Sequence, residues 1–250
     1  MIAAAVTAVF LLAGAFATLG LGGGMLYTPV LKWLGFDLVR TAIPVSLLLN
    51  GLTTLSAAIA YGRSGMVDWR GGLPLAATSL AAAPVGALGT RHLPTDAILA
   101  LLALAMAVSG GRMLGTARRS EPDRRAPPAK RAVLTALAGV GIGLIAGLLG
   151  IGGGFLIVPL LLALGYPTKR AAATSAFVVL FSSFAGFAGH AALGELPWTL
   201  IAGAGAAAVV ASQFGARLMR DRLRAPWIKT GFGVVLLAVA VKLALPVLFP

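Results

Sequence analysis

The chain has 250 residues, 59% of them hydrophobic and 11% charged, with a mean hydropathy of +0.96; a soluble domain needs a far more polar surface, so a multi-pass membrane protein is implied. Zero cysteines exclude disulfides, thiolate metal sites and iron–sulfur ligation, and two distant histidines, His92 and His190, argue against a multi-histidine metal centre. The net charge of +13 comes from basic residues beside apolar stretches, the pattern that orients membrane helices, and not from a soluble basic domain that would hold nucleic acid.

Runs such as LALLALAMAV and GFGVVLLAVAV lack the alternation of a barrel strand, so the spans are read as helices. The first, MIAAAVTAVFLLAGAFA, ends in the small-x-small pattern Ala15-Phe16-Ala17 that a signal peptidase accepts. It lacks a basic start and has an internal counterpart near 133–149, so a retained helix is expected. It leads into ATLGLGGGMLYTP (17–29). Glycine in a helix costs about 1 kcal/mol relative to alanine, so this stretch predicts a break, with a short helix starting near Met25 and ending before Gly35. Three full crossings are expected near 41–61, 71–90 and 96–114. A charged, proline-bearing seam follows at 112–131, RMLGTARRSEPDRRAPPAKR, with seven Lys/Arg and two acids. Beyond it the helix near 133–149 runs into GLLGIGGGFLIVP (147–159), a second short helix near Phe155, and crossings near 171–190, 197–216 and 226–248.

The two glycine motifs belong to a duplication. An offset of 130 aligns Gly20, Gly22, Gly23, Gly24 and Pro29 with Gly150, Gly152, Gly153, Gly154 and Pro159. After a one-residue deletion, Ser46 meets Ser175, Thr53 and Thr54 meet Ser182 and Ser183, Tyr61 meets His190, Trp69 meets Trp198, and Gly86 meets Gly215. The expected organisation is a first transmembrane repeat at 1–111, a cytoplasmic basic linker at 112–131 and a second repeat at 132–250.

Orientation follows from the basic residues. If each repeat opens with a hairpin around its glycine motif and continues with three crossings, sixteen of the 20 Lys/Arg fall on the cytoplasmic side, and only Lys32, Arg40, Arg91 and Lys242 fall outside. A single crossing at the motif would split them 10 to 10. The positive-inside rule favours the hairpins, with both termini outside. Each repeat then has an odd number of net crossings, so the fold is expected to be all-α: a polytopic membrane bundle of two inverted-topology repeats, each a glycine-broken hairpin plus three transmembrane helices. Such repeats mark secondary transporters, with the substrate site near the midplane at the broken helices.

Non-helical backbone at membrane depth must be buried in protein or line a wet cavity. Two hairpins from opposite faces would bring the breaks and both short-helix N-termini together, and helix N-termini suit anions. The span centres carry no Asp or Glu, which argues against a cation site. The available ligands are the backbone at Gly22, Gly23, Gly24, Gly152, Gly153 and Gly154, with Asn50, Thr53, Thr54, Ser175, Ser182, Ser183 and Gln213 as side chains. Other readings stand beside these: the glycines could serve close packing, as Gly139, Gly143 and Gly147 do at four-residue spacing, and the hydroxyls could bond carbonyls one turn back. His190, the counterpart of Tyr61 at a span end, reads as an interfacial residue with a capacity for protonation, and Trp69 and Trp198 read as interface anchors. Neither glycine run continues into G-K-[ST] or completes G-x-G-x-x-G, and no nucleophile–base pair stands out, so nucleotide binding and catalysis have no support.

The paired GLGGGMLYTPVL (20–31) and GIGGGFLIVPLL (150–161), with KRAAATSAF (169–177), PVGALGTRHLP (84–94) and QFGARLMRDRL (213–223), resemble the sulfite exporter TauE/SafE family over essentially the whole chain except the linker. The resemblance implies movement of sulfur-containing anions, such as sulfite or organosulfonates, across the bacterial cytoplasmic membrane. By position, the family's glycine motif falls on Gly20, Gly22–Gly24 and Pro29 and on Gly150, Gly152–Gly154 and Pro159, and the Thr-Ser of its following helix on Thr174 and Ser175. In the first half that dipeptide is Val45-Ser46, a departure that leaves one hydroxyl.

The expectation is therefore a secondary transporter, exporting a small sulfur oxyanion by alternating access, with no cofactor and no metal. Its partners are the anionic substrate and the lipid bilayer, with no nucleic acid, and a homodimer is compatible with the sequence. The alternatives are a non-transporting scaffold subunit, whose glycines only let helices approach, and an anion channel.

Overall fold

The computed structural model describes residues 2–90, 92–117, 128–149, 152–191 and 196–248, and every regular element among them is helical. The central linker residues 118–127, Arg91 and Gly150 lie outside the described residues. In hydrocarbon every backbone N–H and C=O must be paired internally, and a helix does this within a single segment. The first half comprises α1 (Ile2–Ala17), α2 (Gly24–Trp33), a π-helical turn (Leu38–Ala42) running directly into α3 (Ile43–Arg63), α4 (Trp69–Thr90) and α5 (Thr95–Thr116). The second comprises α6 (Pro128–Leu149), α7 (Gly154–Ala163), α8 (Thr168–Ala191), α9 (Trp198–Asp221) and α10 (Ala225–Leu248).

Local chemistry sets the helix ends. Gly35, Gly65 and Gly165 all have positive φ and close α2, α3 and α7 with the same pair of backbone bonds. In α2 these run from Gly35 N to Lys32 O (3.0 Å) and from Phe36 N to Leu31 O (3.1 Å), and the bonds from Gly65 and Met66, and from Gly165 and Tyr166, repeat them. This is the Schellman arrangement, which needs a left-handed residue. The π-helical turn before α3 begins at Asp37, whose carboxylate accepts the Arg40 N–H at 2.6 Å.

Among the described residues, seven helical stretches are long and apolar enough to cross a membrane, one of them residues 132–149 of α6. Six full crossings and two hairpins are expected from the sequence, and the seventh stretch is the one expected as the first arm of the second hairpin. Its first-half counterpart α1 has 16 residues. The second arms, α2 and α7, have 10 residues each; at about 1.5 Å per residue that reaches halfway through the hydrocarbon.

Helices α3 and α8 pack on each other at the centre, and they are the most enclosed of the spans. Around them α4 packs on α6 and α8, α9 packs on α1 and α3, and α5 pairs with α10. Exchanging α1–α5 with α6–α10 maps each of these pairings onto one of the same set. The partners cross between the halves: first-half α4 lies on second-half α6, and second-half α9 on first-half α1. Small residues allow the approach. A Cβ on Gly86 would strike the Leu144 carbonyl, one on Gly147 the Ala83 carbonyl, and one on Gly215 the Gly14 carbonyl. Gly139 and Gly143 face Leu75 and Ser79 of α4 in the same way.

The basic segments gather at one end of the bundle. Lys169 Nζ donates to the Arg220 carbonyl (2.9 Å), Arg220 Nη1 to Ser64 Oγ (3.2 Å) and Lys229 Nζ to the Thr116 carbonyl (3.2 Å). At the same end the Tyr166 hydroxyl, just past α7, donates to Asp68 Oδ2 (2.8 Å), just before α4. Near the end of α2, Lys242 Nζ sits 3.9 Å from the centroid of the Trp33 ring, 13 residues along α10 from Lys229.

Candidate functional site

Both breaks use backbone that only glycine adopts freely. Gly20, Gly22 and Gly23 have φ of 68°, 83° and 124°, and Gly152 and Gly153 have 69° and 76°. Helices α2 and α7 start directly afterwards. The breaks touch: a Cβ on Gly154, the first residue of α7, would lie 3.0 Å from both Cα and O of Leu21 in the other break. Gly20 abuts the Ala172 carbonyl of α8.

Asn50 of α3 fills the space between them. Its Oδ1 accepts the Gly24 N–H at 2.7 Å, capping α2 from another helix, and its Nδ2 donates to Ser183 Oγ of α8 at 2.7 Å. A methyl group on Gly22, Gly24 or Gly152 would collide with the Asn50 amide. Around this amide the Tyr27 hydroxyl bonds Thr53 Oγ1 (3.0 Å) and the Gly22 carbonyl (3.4 Å), and Ser182 Oγ donates to the Gly152 carbonyl (2.8 Å). Thr53 and Thr54 also donate to the carbonyls of Leu49 and Asn50 one turn back. Asn50, Thr53, Thr54, Ser182 and Ser183 are all fully buried.

The structure thus places Gly22, Gly24, Gly152, Gly154, Asn50, Thr53 and Ser182 in one cluster. Gly23 stacks on the Tyr27 ring, and Gly153 faces Ile142 and Ala146 of α6. Thr174 is engaged elsewhere: its Oγ1 accepts the Asp68 N–H at 3.0 Å, fastening the α3–α4 connection to α8. Gln213 donates to the carbonyl and hydroxyl of Ser56. Trp69 and Trp198 are exposed, as anchors would be, whereas Tyr61 and His190, expected at an interface, are each 1% exposed. The Tyr61 hydroxyl donates to the Ala17 carbonyl at the end of α1, so both residues reach inward to helix ends instead of outward to headgroups.

Ser175 differs from its neighbours. It and its repeat counterpart Ser46 are fully buried, and neither hydroxyl has a hydrogen-bond partner among the described residues. Serines inside helices ordinarily bond a carbonyl three or four residues back, as Ser182 also does to Val179 at 3.2 Å. An unpaired buried hydroxyl costs about 1–3 kcal/mol. Ser46 stands one turn before Asn50. Ser175 stands between Ala172, whose carbonyl faces Gly20, and Val179, whose side chain faces Gly152 and Gly154. The two orphan hydroxyls therefore lie on the faces of α3 and α8 that line the breaks.

The electrostatics are those of dipoles. Two helix N-termini face the cluster, and the start of α7 at Gly153 has no side-chain cap. No Asp, Glu, Lys or Arg belongs to the cluster. Tyr27 is not among the ligands that the sequence singles out; its signal there is a hydroxyl-bearing aromatic one turn after Gly23, whose counterpart in the second half is Ile157.

Residues 5–243 match the family model described as sulfite exporter TauE/SafE. A protein of Sinorhizobium fredii named as a probable membrane transporter is 30% identical over 246 residues, covering 94% of this chain and 95% of the relative. A Bacillus subtilis protein with the same description is 32% identical over 213 residues, 75% of this chain and 78% of the relative. One from Methanocaldococcus jannaschii is 27% identical over 177 residues, 67% and 64% of the two chains. No solved structure matches.

Proposed function

The chain belongs to the sulfite exporter TauE/SafE family of membrane transporters, and from that premise we propose that it is a secondary transporter exporting small sulfur oxyanions, sulfite or an organosulfonate, across the cytoplasmic membrane. The observation that carries this reading is the contact of the two glycine breaks, Gly154 against Leu21. It brings two half-helix N-termini to one buried place lined by amides and hydroxyls. An oxyanion accepts hydrogen bonds from all sides, and backbone N–H groups at helix starts supply them together with a favourable dipole. Ser46 and Ser175 complete the shell, because each holds a donor that no group among the described residues uses. Thr53, Asn50 and Ser182 hold the breaks in shape, and Thr174 fastens the adjoining loop.

The mechanism is alternating access between two inverted repeats, 1–111 and 132–250, with the linker cytoplasmic and both termini outside. The exchange symmetry of the helix pairings and the gathering of basic segments at one end support this arrangement. In the conformation described, the Asn50–Ser183 bond bridges the halves at the level of the breaks. Passage of an anion requires the halves to shift about this point, opening the breaks first to one side and then to the other.

Counterflow in proteoliposomes tests the proposal. Vesicles are loaded in turn with unlabelled sulfite, sulfate, thiosulfate, taurine or chloride, and entry of labelled sulfite is followed. Saturable exchange selective for sulfite or a sulfonate is the expected result. Linear, unsaturating flux would replace the carrier by a channel, and no exchange with any anion in folded protein would overturn the transport reading in favour of a scaffold.

A further inference from the structure

Two ionisable side chains other than tyrosine are buried among the described residues, Lys229 and His190. Lys229 lies in the basic end of the bundle and donates to the Thr116 carbonyl. His190 lies deep at the other end of α8, on the stripe that carries Ser175, Val179 and Ser183. An ionisable group inside a membrane bundle is kept at a cost and calls for a functional explanation.

The hydrogen bonds around His190 depend on its protonation state. Its Nδ1 is 3.0 Å from the Gly186 carbonyl oxygen, which only accepts, so Nδ1 carries a proton. Thr90 Oγ1 is 2.8 Å from the Leu148 carbonyl oxygen, which also only accepts, so the single hydroxyl proton of Thr90 is donated there. His190 Nε2 is 3.2 Å from Thr90 Oγ1. With its proton committed there, that oxygen can only accept, so Nε2 bonds to it only when it carries a proton as well. The three contacts coexist only for the imidazolium. In the neutral ring, Nε2 presents a lone pair to a lone pair, or the Thr90 hydroxyl turns to Nε2 and leaves the Leu148 carbonyl without its donor.

That carbonyl is not incidental. Leu148 is in the last turn of α6, where carbonyls lack helical partners, and four residues later comes Gly152 of the second break. The ring also sits at the C-terminal ends of α6 and of its own helix α8, where helix dipoles favour a bound proton. Among the described residues of the surrounding helices, Arg63 of α3, Arg70 of α4, and Lys169 and Arg170 of α8 belong to the opposite end and α7 has no charged residue; His92 follows α4, Asp96 opens α5, and Arg91 and Glu195 lie outside the described residues.

We propose that His190 is the proton site that couples this transporter to the pH gradient: a proton bound at Nε2 holds the Thr90 hydroxyl on the Leu148 carbonyl and fixes the end of α6 beside the second break, and its loss frees that end to move. The inference rests on the transport reading above. The bond balance is a single proton gained or lost at Nε2, with the Thr90 hydroxyl exchanging one acceptor for another.

Two measurements test it, one independent of transport. Nitrogen-15 spectra of the His92→Gln protein, which retains His190 alone, should show both ring nitrogens protonated at low pH and loss of one proton within about pH 5 to 8, the range in which histidines switch. In Thr90→Val the His190 signals should move, because Nε2 loses its acceptor. A ring that stays singly protonated across that range overturns the proposal and leaves the transport reading intact. The second measurement compares labelled-sulfite exchange with accumulation driven by a pH gradient, in wild type and His190→Gln. One coupled proton supports about tenfold accumulation per pH unit, and His190→Gln should lose that driven component far more than it loses exchange. Equal driven accumulation in both proteins also overturns the coupling role, whereas absence of exchange in the wild type defeats the transport reading.

Discussion

Asn50 Nδ2 lies 2.7 Å from Ser183 Oγ, a direct hydrogen bond between α3 and α8 across 133 residues of sequence. The same amide binds Gly24 N through its oxygen, so one side chain ties the first break, the start of α2 and the second half together. The repeat counterpart of Asn50 is Val179, and the bridge is therefore an asymmetric feature in a duplicated chain.

Replacing Asn50 by alanine removes the cap on α2 and the partner of Ser183 at once. Each buried group left unpaired costs about 1–3 kcal/mol. The expected result is a clear fall in thermal stability in detergent, followed by the fraction remaining monodisperse on heating, and a Ser183→Ala background should reduce the added penalty because one orphan is then already gone.

Gly65 and Gly152 share nearly the same backbone, with φ of +67° and +69°, but a Cβ on Gly65 meets nothing within 4 Å whereas one on Gly152 collides with Asn50 Nδ2 and Ser183 Oγ. Gly65→Ala should cost only the left-handed strain, about 1–2 kcal/mol. Gly152→Ala should cost considerably more or prevent folding. Equal melting temperatures for the two variants would show that the crowding around the second break is relieved without cost.

Ser46→Ala and Ser175→Ala remove hydroxyls that no group among the described residues uses. Stability should hold or rise slightly, since removing an unpaired buried donor relieves a desolvation penalty. If these hydroxyls bind the anion, saturation curves for sulfite exchange should shift to higher concentration by roughly tenfold, the effect of one hydrogen bond to a charged ligand. Unchanged saturation in both variants removes them from the substrate shell.

The chain has no cysteine, so single cysteines report orientation directly. Ser64→Cys and Arg170→Cys should react with a membrane-impermeant thiol reagent only from the cytoplasmic side, and Trp33→Cys only from the outside. Labelling of all three from one side would overturn the hairpin topology.

Much of this molecule is legible locally. The spans follow from apolar runs, and the half-length α2 and α7 follow from Gly24 to Gly35 and Gly154 to Gly165, because a glycine at positive φ ends or breaks a helix whatever surrounds it. Gly139, Gly143 and Gly147 announce a packing face by spacing alone. The partner of that face, α4 of the other half, is not announced, since any small-residue stripe accepts any close helix.

The sequence by itself determined the helical class, the membrane setting, the two breaks and the correspondence of the halves, all of which depend on hydropathy, glycine backbone freedom and internal similarity. Only the tertiary structure decided that the breaks touch at Leu21 and Gly154, that Thr174 fastens a loop while its neighbour Ser175 is left unpaired, and that His190 turns inward to Thr90. The physical reason is that a hydroxyl, an amide or an imidazole gets its role from which donors and acceptors come within 3 Å or so of it. Those neighbours come from helices a hundred or more residues away.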